Sequence, residues 1–277
     1  MKYKLIALDM DGTVLNDKKE ITPATAQAIH DALSKGVEVV FCTGRSYAGM
    51  RLILENFPDM HYLSGESGGL IYDLKEKKVL RQTTFPNEVA MAVRDAAKGE
   101  NLMPCVFSNG EGYVNKKDVT HMADFYMGQY QGLYQAVATL FDDVLETVTS
   151  ELLPAEKINL YCSSTELREK MYHMLKERNL PAELVYSEIT SLEISPKGLS
   201  KAQALRALCE ILDITLDEIV MVGDADNDLA ALKIAGLPIA MGNANENVSA
   251  VAKIKVADNN HDGCAQAIRI ALGEETL

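Results

Sequence analysis

The stretch Lys4-Leu-Ile-Ala-Leu-Asp-Met-Asp-Gly-Thr13 changes character halfway along. After Lys4 it is continuously apolar to Leu8, and from Asp9 it becomes acidic and small. A strand with one wet face alternates apolar and polar residues. One that does not alternate is covered on both faces, as in a parallel sheet. The run therefore predicts a buried parallel strand whose carboxyl end delivers Asp9, Asp11, Gly12 and Thr13. Ligands of doubly wound sheets bind beyond such ends.

Signals downstream complete a strand–helix–strand unit. Thr22 stands as an N-cap and Pro23 at the first helical position, with Ile29, Ala32 and Leu33 on one face and Gly36 as the stop. Val37 to Cys42 is a second apolar strand, ending in Thr43-Gly44-Arg45. Such units wind right-handed into parallel sheets. The C-terminal third repeats the pattern. Ser200 and Gln203 read as a capping box opening a helix whose apolar face is Leu205, Leu208, Cys209 and Leu212. Ile219 to Val222 is another apolar strand, ending in Gly223-Asp224. A short helix with Ala230, Ala231, Leu232 and Ile234 follows, stopped at Gly236, and Leu237 to Met241 is one more strand before Gly242-Asn243.

The middle of the chain differs. Leu70–Asp73 and Lys78–Arg81 read as a hairpin across a charged turn. Beyond Phe85 the strands are shorter and more polar and mix with helices, one of them Thr165 to Arg178, with Leu167, Met171, Met174 and Leu175 at helical spacing and Asn179 as its stop. Phe125 to Tyr134, rich in tyrosine, reads either as an amphipathic helix on the insertion's sheet or as the lining of a substrate pocket. The expected fold is α/β. It has a Rossmann-like parallel-sheet core over residues 1–84 and 190–277, split by an α+β insertion over residues 85–189.

At 277 residues, 47% hydrophobic and 24% charged, the chain can build one large or two modest domains. A net charge of −13 argues against nucleic acid or an anionic membrane as the partner. It does not exclude small anions, because a bound cation can reverse the field within one cleft. Five widely spaced cysteines without a Cys-x-x-Cys pair predict buried free thiols in a reducing compartment. With no signal-peptide pattern at the N-terminus, the expectation is a cytoplasmic protein. The oligomeric state, monomer or weak dimer, is not readable.

Four polar segments fall at the expected strand ends: Asp9 to Thr13, Thr43-Gly44-Arg45, Lys201, and Gly223 to Asp228. Asp9 and Asp11 can face one cleft if Gly12 bends the chain. Two carboxylates so close repel unless a cation lies between them or one holds a proton. Mg²⁺ suits the place, since it takes hard oxygen ligands and keeps several waters. Asp224 adds a carboxylate from another strand, within a cluster that includes Asp226, Asn227 and Asp228. Asp-Gly and Asp-x-Asp are also ordinary turn chemistry. Thr43 reads as the N-cap of the next helix or as a hydroxyl that, with adjacent amides, binds a phosphoryl oxygen. Lys201, in a first helical turn where the macrodipole disfavours a cation, reads as a counter-charge to an anionic ligand.

In their order along the chain, DMDGT (Asp9–Thr13), TGR (Thr43–Arg45), Lys201 in KGLSKAQAL and GDADND (Gly223–Asp228) make the sequence resemble the haloacid dehalogenase-like superfamily, in its Cof-type branch of small-molecule phosphatases. AMGNA (Ala240–Ala244) and Asp262-Gly263 fit as well. The resemblance implies a cap of the C2 type inserted between the second and third motifs. It implies that Asp9 attacks phosphorus, while Asp11 protonates the leaving oxygen and then activates water. It places Mg²⁺ on the Asp9 carboxylate, the Asp11 carbonyl and Asp224. Thr43, Gly44 and Asn227 would hold phosphoryl oxygens together with Lys201, which balances charge, and Asp228 would support metal-bound water or Lys201. The chain departs from the pattern at Ser67-Gly68-Gly69, where Asn-Gly-Ala is usual, and at Leu229 to Leu232, where a methionine is common. A phosphomutase of the same fold and a non-catalytic sensor of phosphorylated metabolites are the rival readings.

Overall fold

The computed structural model describes residues 2–276. By compactness the chain divides into two units, one of residues 1–45, 52–81 and 200–277, the other of residues 46–51 and 82–199. The first unit opens with β1 (Leu5–Asp9), every residue of which is buried. The helix α1 (Pro23–Ser34) follows, with Thr22 as its N-cap accepting from the Thr25 amide. Then come β2 (Glu38–Cys42), α2 (Tyr47–Leu54), β3 (Tyr62–Gly65), β4 (Leu70–Asp73) and β5 (Lys78–Gln82). Strand β3 turns back on β4 as an antiparallel hairpin. Strands β4 and β5 are neighbours across the charged turn, which Asp73 closes by accepting from the amides of Lys75 and Glu76.

The second unit contributes α3 (Asn87–Ala97), β6 (Leu102–Ser108), β7 (Glu111–Asn115), α4 (Gln131–Val137), β8 (Thr139–Phe141), α5 (Val144–Ser150), β9 (Lys157–Cys162), α6 (Thr165–Glu177), β10 (Ala182–Tyr186) and β11 (Ser191–Pro196). Its sheet runs β10-β11-β9-β6-β7-β8, antiparallel except between β7 and β8. Side chains alternate across it. Val106, Ile158, Leu160 and Ile194 join Val93, Val148, Met171 and Leu175 of the helices in one core. Met103, Cys105, Phe107 and Tyr161 lie in a second cluster with Met122, Phe125 and Met127.

The chain then returns to the first unit with α7 (Lys201–Leu212), β12 (Ile219–Gly223), α8 (Leu229–Leu232), β13 (Leu237–Ala240), α9 (Glu246–Val251), β14 (Ile254–Lys255) and α10 (Gly263–Leu272). The eight-stranded sheet has the order β14-β13-β12-β1-β2-β3-β4-β5. Strands β14 to β3 are parallel. Leu5, Ala7, Val40, Cys42 and Met221 share a core with Leu205 and Leu208 of α7 and Leu232 of α8. On the opposite face Phe41 meets Phe57 edge-on, and Phe57 in turn meets His30 of α1. With apolar side chains needed on both faces, β1 cannot alternate. Among the described residues no helix is long and apolar enough to cross a membrane.

Four expectations need correction. The insertion runs wider than residues 85–189, because β11 pairs antiparallel with β9 and β10 and residues 46–51 join the second unit, where the Ala48 amide donates to the Gly110 carbonyl. Ser200 is the N-cap of α7 without a side-chain hydrogen bond, so there is no capping box with Gln203; its carbonyl accepts from the Gln203 amide instead. Residues 125–134 are not one helix. Tyr126 takes a left-handed φ of 60° and breaks the segment into two tight turns before α4. Ile234 lies beyond α8, which ends at Leu232.

Thr22 serves two ends of the first unit, capping α1 and donating to the Asp262 carboxylate at 2.6 Å beside α10. We expect Thr22→Ala to lower stability by about 1–2 kcal/mol and Thr22→Ser to retain most of it, as read from urea denaturation midpoints.

Candidate active site

Three neighbouring strand ends build the site. The parallel register sets Asp9 opposite Cys42 and Leu8 opposite Val222. The residues that follow β1, β2 and β12 therefore emerge side by side. These are Met10 to Thr13, Thr43 to Arg45, and Asp224 to Asp228.

Lys201, at the start of α7, is 1% exposed and joins the buried groups. Its ammonium donates to Asp9 Oδ1 and to Asp228 Oδ1, the latter at 2.6 Å. The other Asp228 oxygen accepts from the amides of Asp224 and Ala225 at 3.0 and 3.1 Å, which fixes the loop after β12. Burial alone would depress the Lys201 ammonium. The charges of Asp9 and Asp228 overcome it and hold the group above its ordinary value. Asp9 is raised above the ordinary carboxyl value by burial, with Lys201 pulling it down and Asp228 and Asp224 pushing it up. Asp224 is likewise raised, first by burial and then by Asp228.

Oxygens of Asp9, Asp224 and Asp228 lie within 4.8 Å of one another. Three carboxylates face one ammonium, so the cluster carries more negative charge than its own cation neutralises. Every donor in it is a hard oxygen, the chemistry that Mg²⁺ takes. Gly12, at φ +88°, leaves the place open: a Cβ there would stand 2.4 Å from Asp224 Oδ2. Asn243 spans the same spot, donating to the Gly12 carbonyl at 2.8 Å and to Asp224 Oδ2 at 3.4 Å, while the Thr13 hydroxyl donates to Asp224 Oδ1 at 3.1 Å. The residues present fit a divalent cation.

Asp11 stands apart from that cluster. Its carboxylate accepts from Lys19 at 2.8 Å and from Arg45 at 2.9 to 3.3 Å. Burial would raise it, but the Lys19 hydrogen bond and the Arg45 charge outweigh burial and hold Asp11 below the ordinary carboxyl value. Sequence reasoning named Asp11 and passed over Lys19, whose setting, Asp17-Lys18-Lys19-Glu20, reads as a solvated turn.

Thr43 is buried, and its hydroxyl accepts from the Arg45 amide at 3.1 Å within its own turn. It does not cap α2, because the Ser46 hydroxyl takes that part by accepting from the Gly49 amide at 3.1 Å. Backbone bonds from Ser67 to the Thr43 carbonyl and from Glu66 to the Arg45 carbonyl clasp this loop to the turn after β3. Gly44 is half-buried in the loop, and Asn227 is exposed beside the acidic cluster. Asp226 turns to other work, accepting from Asn245 and Asn247 at 2.9 and 3.1 Å.

The profile of the haloacid dehalogenase-like hydrolases matches residues 6–268. A putative phosphatase of Bacillus subtilis, YxeH, is 28% identical over 273 residues, covering 96% of this chain and 97% of that protein. The 5-amino-6-(5-phospho-D-ribitylamino)uracil phosphatase YcsE of the same organism is 30% identical over 267 residues, covering 96% and 94%. Among solved structures, a haloacid dehalogenase-like hydrolase from Bacteroides thetaiotaomicron superposes with a TM-score of 0.84 at 28% identity, over 97% of this chain and 99% of that one.

Removing the buried ammonium should strand two carboxylates. We expect Lys201→Met, studied in chelator by urea denaturation, to cost about 3–5 kcal/mol. The sign of its pH dependence follows from Asp9. A carboxyl raised in the folded state favours folding at low pH, and that contribution is lost as pH rises through the raised value. Loss of Lys201 removes the pull that lowers Asp9, so the part of the penalty carried by Asp9 should grow as pH rises through about 7, the value to which burial raises that carboxyl, and shrink below it.

Proposed function

We propose that this chain, which belongs to the haloacid dehalogenase-like hydrolase family and is a phosphatase, hydrolyses small phosphorylated metabolites with magnesium through an aspartyl-phosphate on Asp9. The observation that supports this reading most is the buried Asp9–Lys201–Asp228 contact, which holds a carboxylate at a parallel strand end beside two further carboxylates. In the first step a carboxylate oxygen of Asp9 bonds to phosphorus, and the bond to the leaving oxygen breaks with its electron pair. Asp11 gives that oxygen a proton. In the second step the oxygen of water bonds to phosphorus, the bond to Asp9 breaks, and Asp11 takes the proton from water. Lys201 balances the charge, and Thr43, Gly44 and Asn227 hold phosphoryl oxygens. Asp9 and Asp224, with the Asp11 carbonyl, would hold Mg²⁺, with Asp228 behind them; the cation supplies positive charge to the phosphoryl group.

Sugar phosphates are the first substrate class we propose. Phosphorylated cofactor precursors stand second, supported by the phosphorylated ribitylamino compound in the name of the 30% identical relative. The acidic chain has no basic footprint for nucleic acid. Free cysteines, four of the five buried, suit the cytoplasm.

The reading is tested by phosphate release from a panel of sugar phosphates, polyol phosphates and phosphorylated cofactor precursors, with magnesium or with chelator. We expect magnesium-dependent release by the wild type and a loss of at least about a thousandfold in Asp9→Asn with the fold intact by circular dichroism. Near-normal turnover in Asp9→Asn would overturn the mechanism. Isomerised sugar phosphate without phosphate release would identify a mutase.

A further inference from the structure

Lys19 has no part in the chemistry so far described, yet it is one of two cations on the Asp11 carboxylate. Its Nζ donates to Oδ1 at 2.8 Å; Arg45 Nη2 lies 2.9 Å from Oδ1 and 3.1 Å from Oδ2, and Arg45 Nε lies 3.3 Å from Oδ2. A carboxylate has about four lone-pair directions. These four contacts engage both oxygens and fix the plane of the group.

The turn that presents Lys19 is held from several sides. The Asn16 side chain accepts from the amides of Lys18 and Glu20 at 2.9 and 3.0 Å, and the Lys19 amide donates to the Asn16 carbonyl at 2.9 Å. Asn259 and Asn260 donate to the Asp17 carboxylate at 3.2 and 3.0 Å, and the Asp17 amide donates back to Asn260. At the tip Lys19 adopts φ +63°. That left-handed conformation costs a residue with a Cβ roughly 1–2 kcal/mol, and glycine adopts it freely.

Stability does not repay a lysine here. The Lys19 side chain is 62% exposed, and an exposed ion pair contributes about 0–1 kcal/mol. The strain is at least as large as the gain. Backbone strain at a site points to a role for the side chain that bears it.

We propose that Lys19 is a positioning residue for Asp11, aiming the carboxylate at the atoms with which it exchanges protons. The inference rests on the phosphatase reading and on Asp11 as its acid and base. Lys19 therefore acts only in steps in which Asp11 moves a proton. Expulsion of p-nitrophenolate, a weakly basic leaving group, needs no proton; expulsion of an alkoxide does. With either substrate the second step needs Asp11 to take a proton from water.

The test compares Lys19→Gly, Lys19→Arg and wild type, with magnesium, on p-nitrophenyl phosphate and on glycerol phosphate. Glycine suits φ +63°, so Lys19→Gly should melt no lower than wild type while lacking the ammonium. On p-nitrophenyl phosphate its kcat should fall roughly tenfold, a part of the general acid–base factor, with kcat/KM within about threefold. On glycerol phosphate kcat and kcat/KM should fall together. Lys19→Arg should restore most of each loss. Unchanged kcat in Lys19→Gly, or equal losses of kcat and kcat/KM on both substrates, would overturn the role of Lys19 and leave the phosphatase reading standing. A wild type that releases phosphate from neither compound nor from any member of the metabolite panel would overturn both.

Discussion

The buried ammonium of Lys201 between Asp9 and Asp228 is the contact on which the rest of the first unit turns. An ionised lysine away from water is tolerated only when its charge is met at close range, and here two carboxylates meet it. That requirement dictates where three segments end. Strand β1 must stop at Asp9, β12 must release its chain so that Asp228 folds back beneath it, and α7 must start with its first residue at the sheet edge. A lysine is mildly unfavourable at a helix N-terminus by a few tenths of a kcal/mol. Two buried carboxylates outweigh that easily, so the helix begins with its least suitable charge.

Bringing α7 so close to the sheet edge constrains the turn after β3. Glu66, Ser67 and Gly68 all take left-handed backbone, at φ 53°, 57° and 97°. A Cβ at Gly68 would lie 2.3 Å from the Ser200 carbonyl oxygen, directly before Lys201. Two strained residues with side chains cost about 1–2 kcal/mol each. The turn persists because it also clasps the Thr43 and Arg45 carbonyls. The departure at Ser67-Gly68-Gly69 thus keeps the glycine that the approach of α7 requires.

What was legible in the sequence follows from how local each constraint is. An apolar run without alternation needs only its own residues to announce a doubly covered strand, so β1, β2 and β12 were read to within a residue. Thr22-Pro23 announces a helix start for the same reason. The choice of Ser46 over Thr43 as the cap of α2 depends on how tightly Thr43 is tied into its own turn, and β11 belongs to the second sheet because of partners some thirty residues away along the chain, in β9. Tyr126 broke an expected helix by adopting a conformation that helical spacing does not encode. At the site, residues that meet one another through strand ends were legible as a set. Lys19 was not, since its exposed, lysine-rich turn has the composition of any solvated loop, and only the folded turn brings it back to Asp11.

Two carboxylates two residues apart have been placed in opposite surroundings. Asp9 is buried among like charges and is raised, whereas Asp11 is held by two cations and is lowered. Groups whose surroundings pull them apart in this way can divide the work of one reaction. The direction of the division depends on what the cluster binds. Under the proposed function, a divalent cation on Asp9 and Asp224 would bring the positive charge that Lys201 alone does not supply, and would reverse the electrostatic cost of ionising Asp9. In the proposed reaction the cation would thereby favour the ionised Asp9 that a nucleophile requires. The bend at Gly12 makes this separation possible within a single turn of chain.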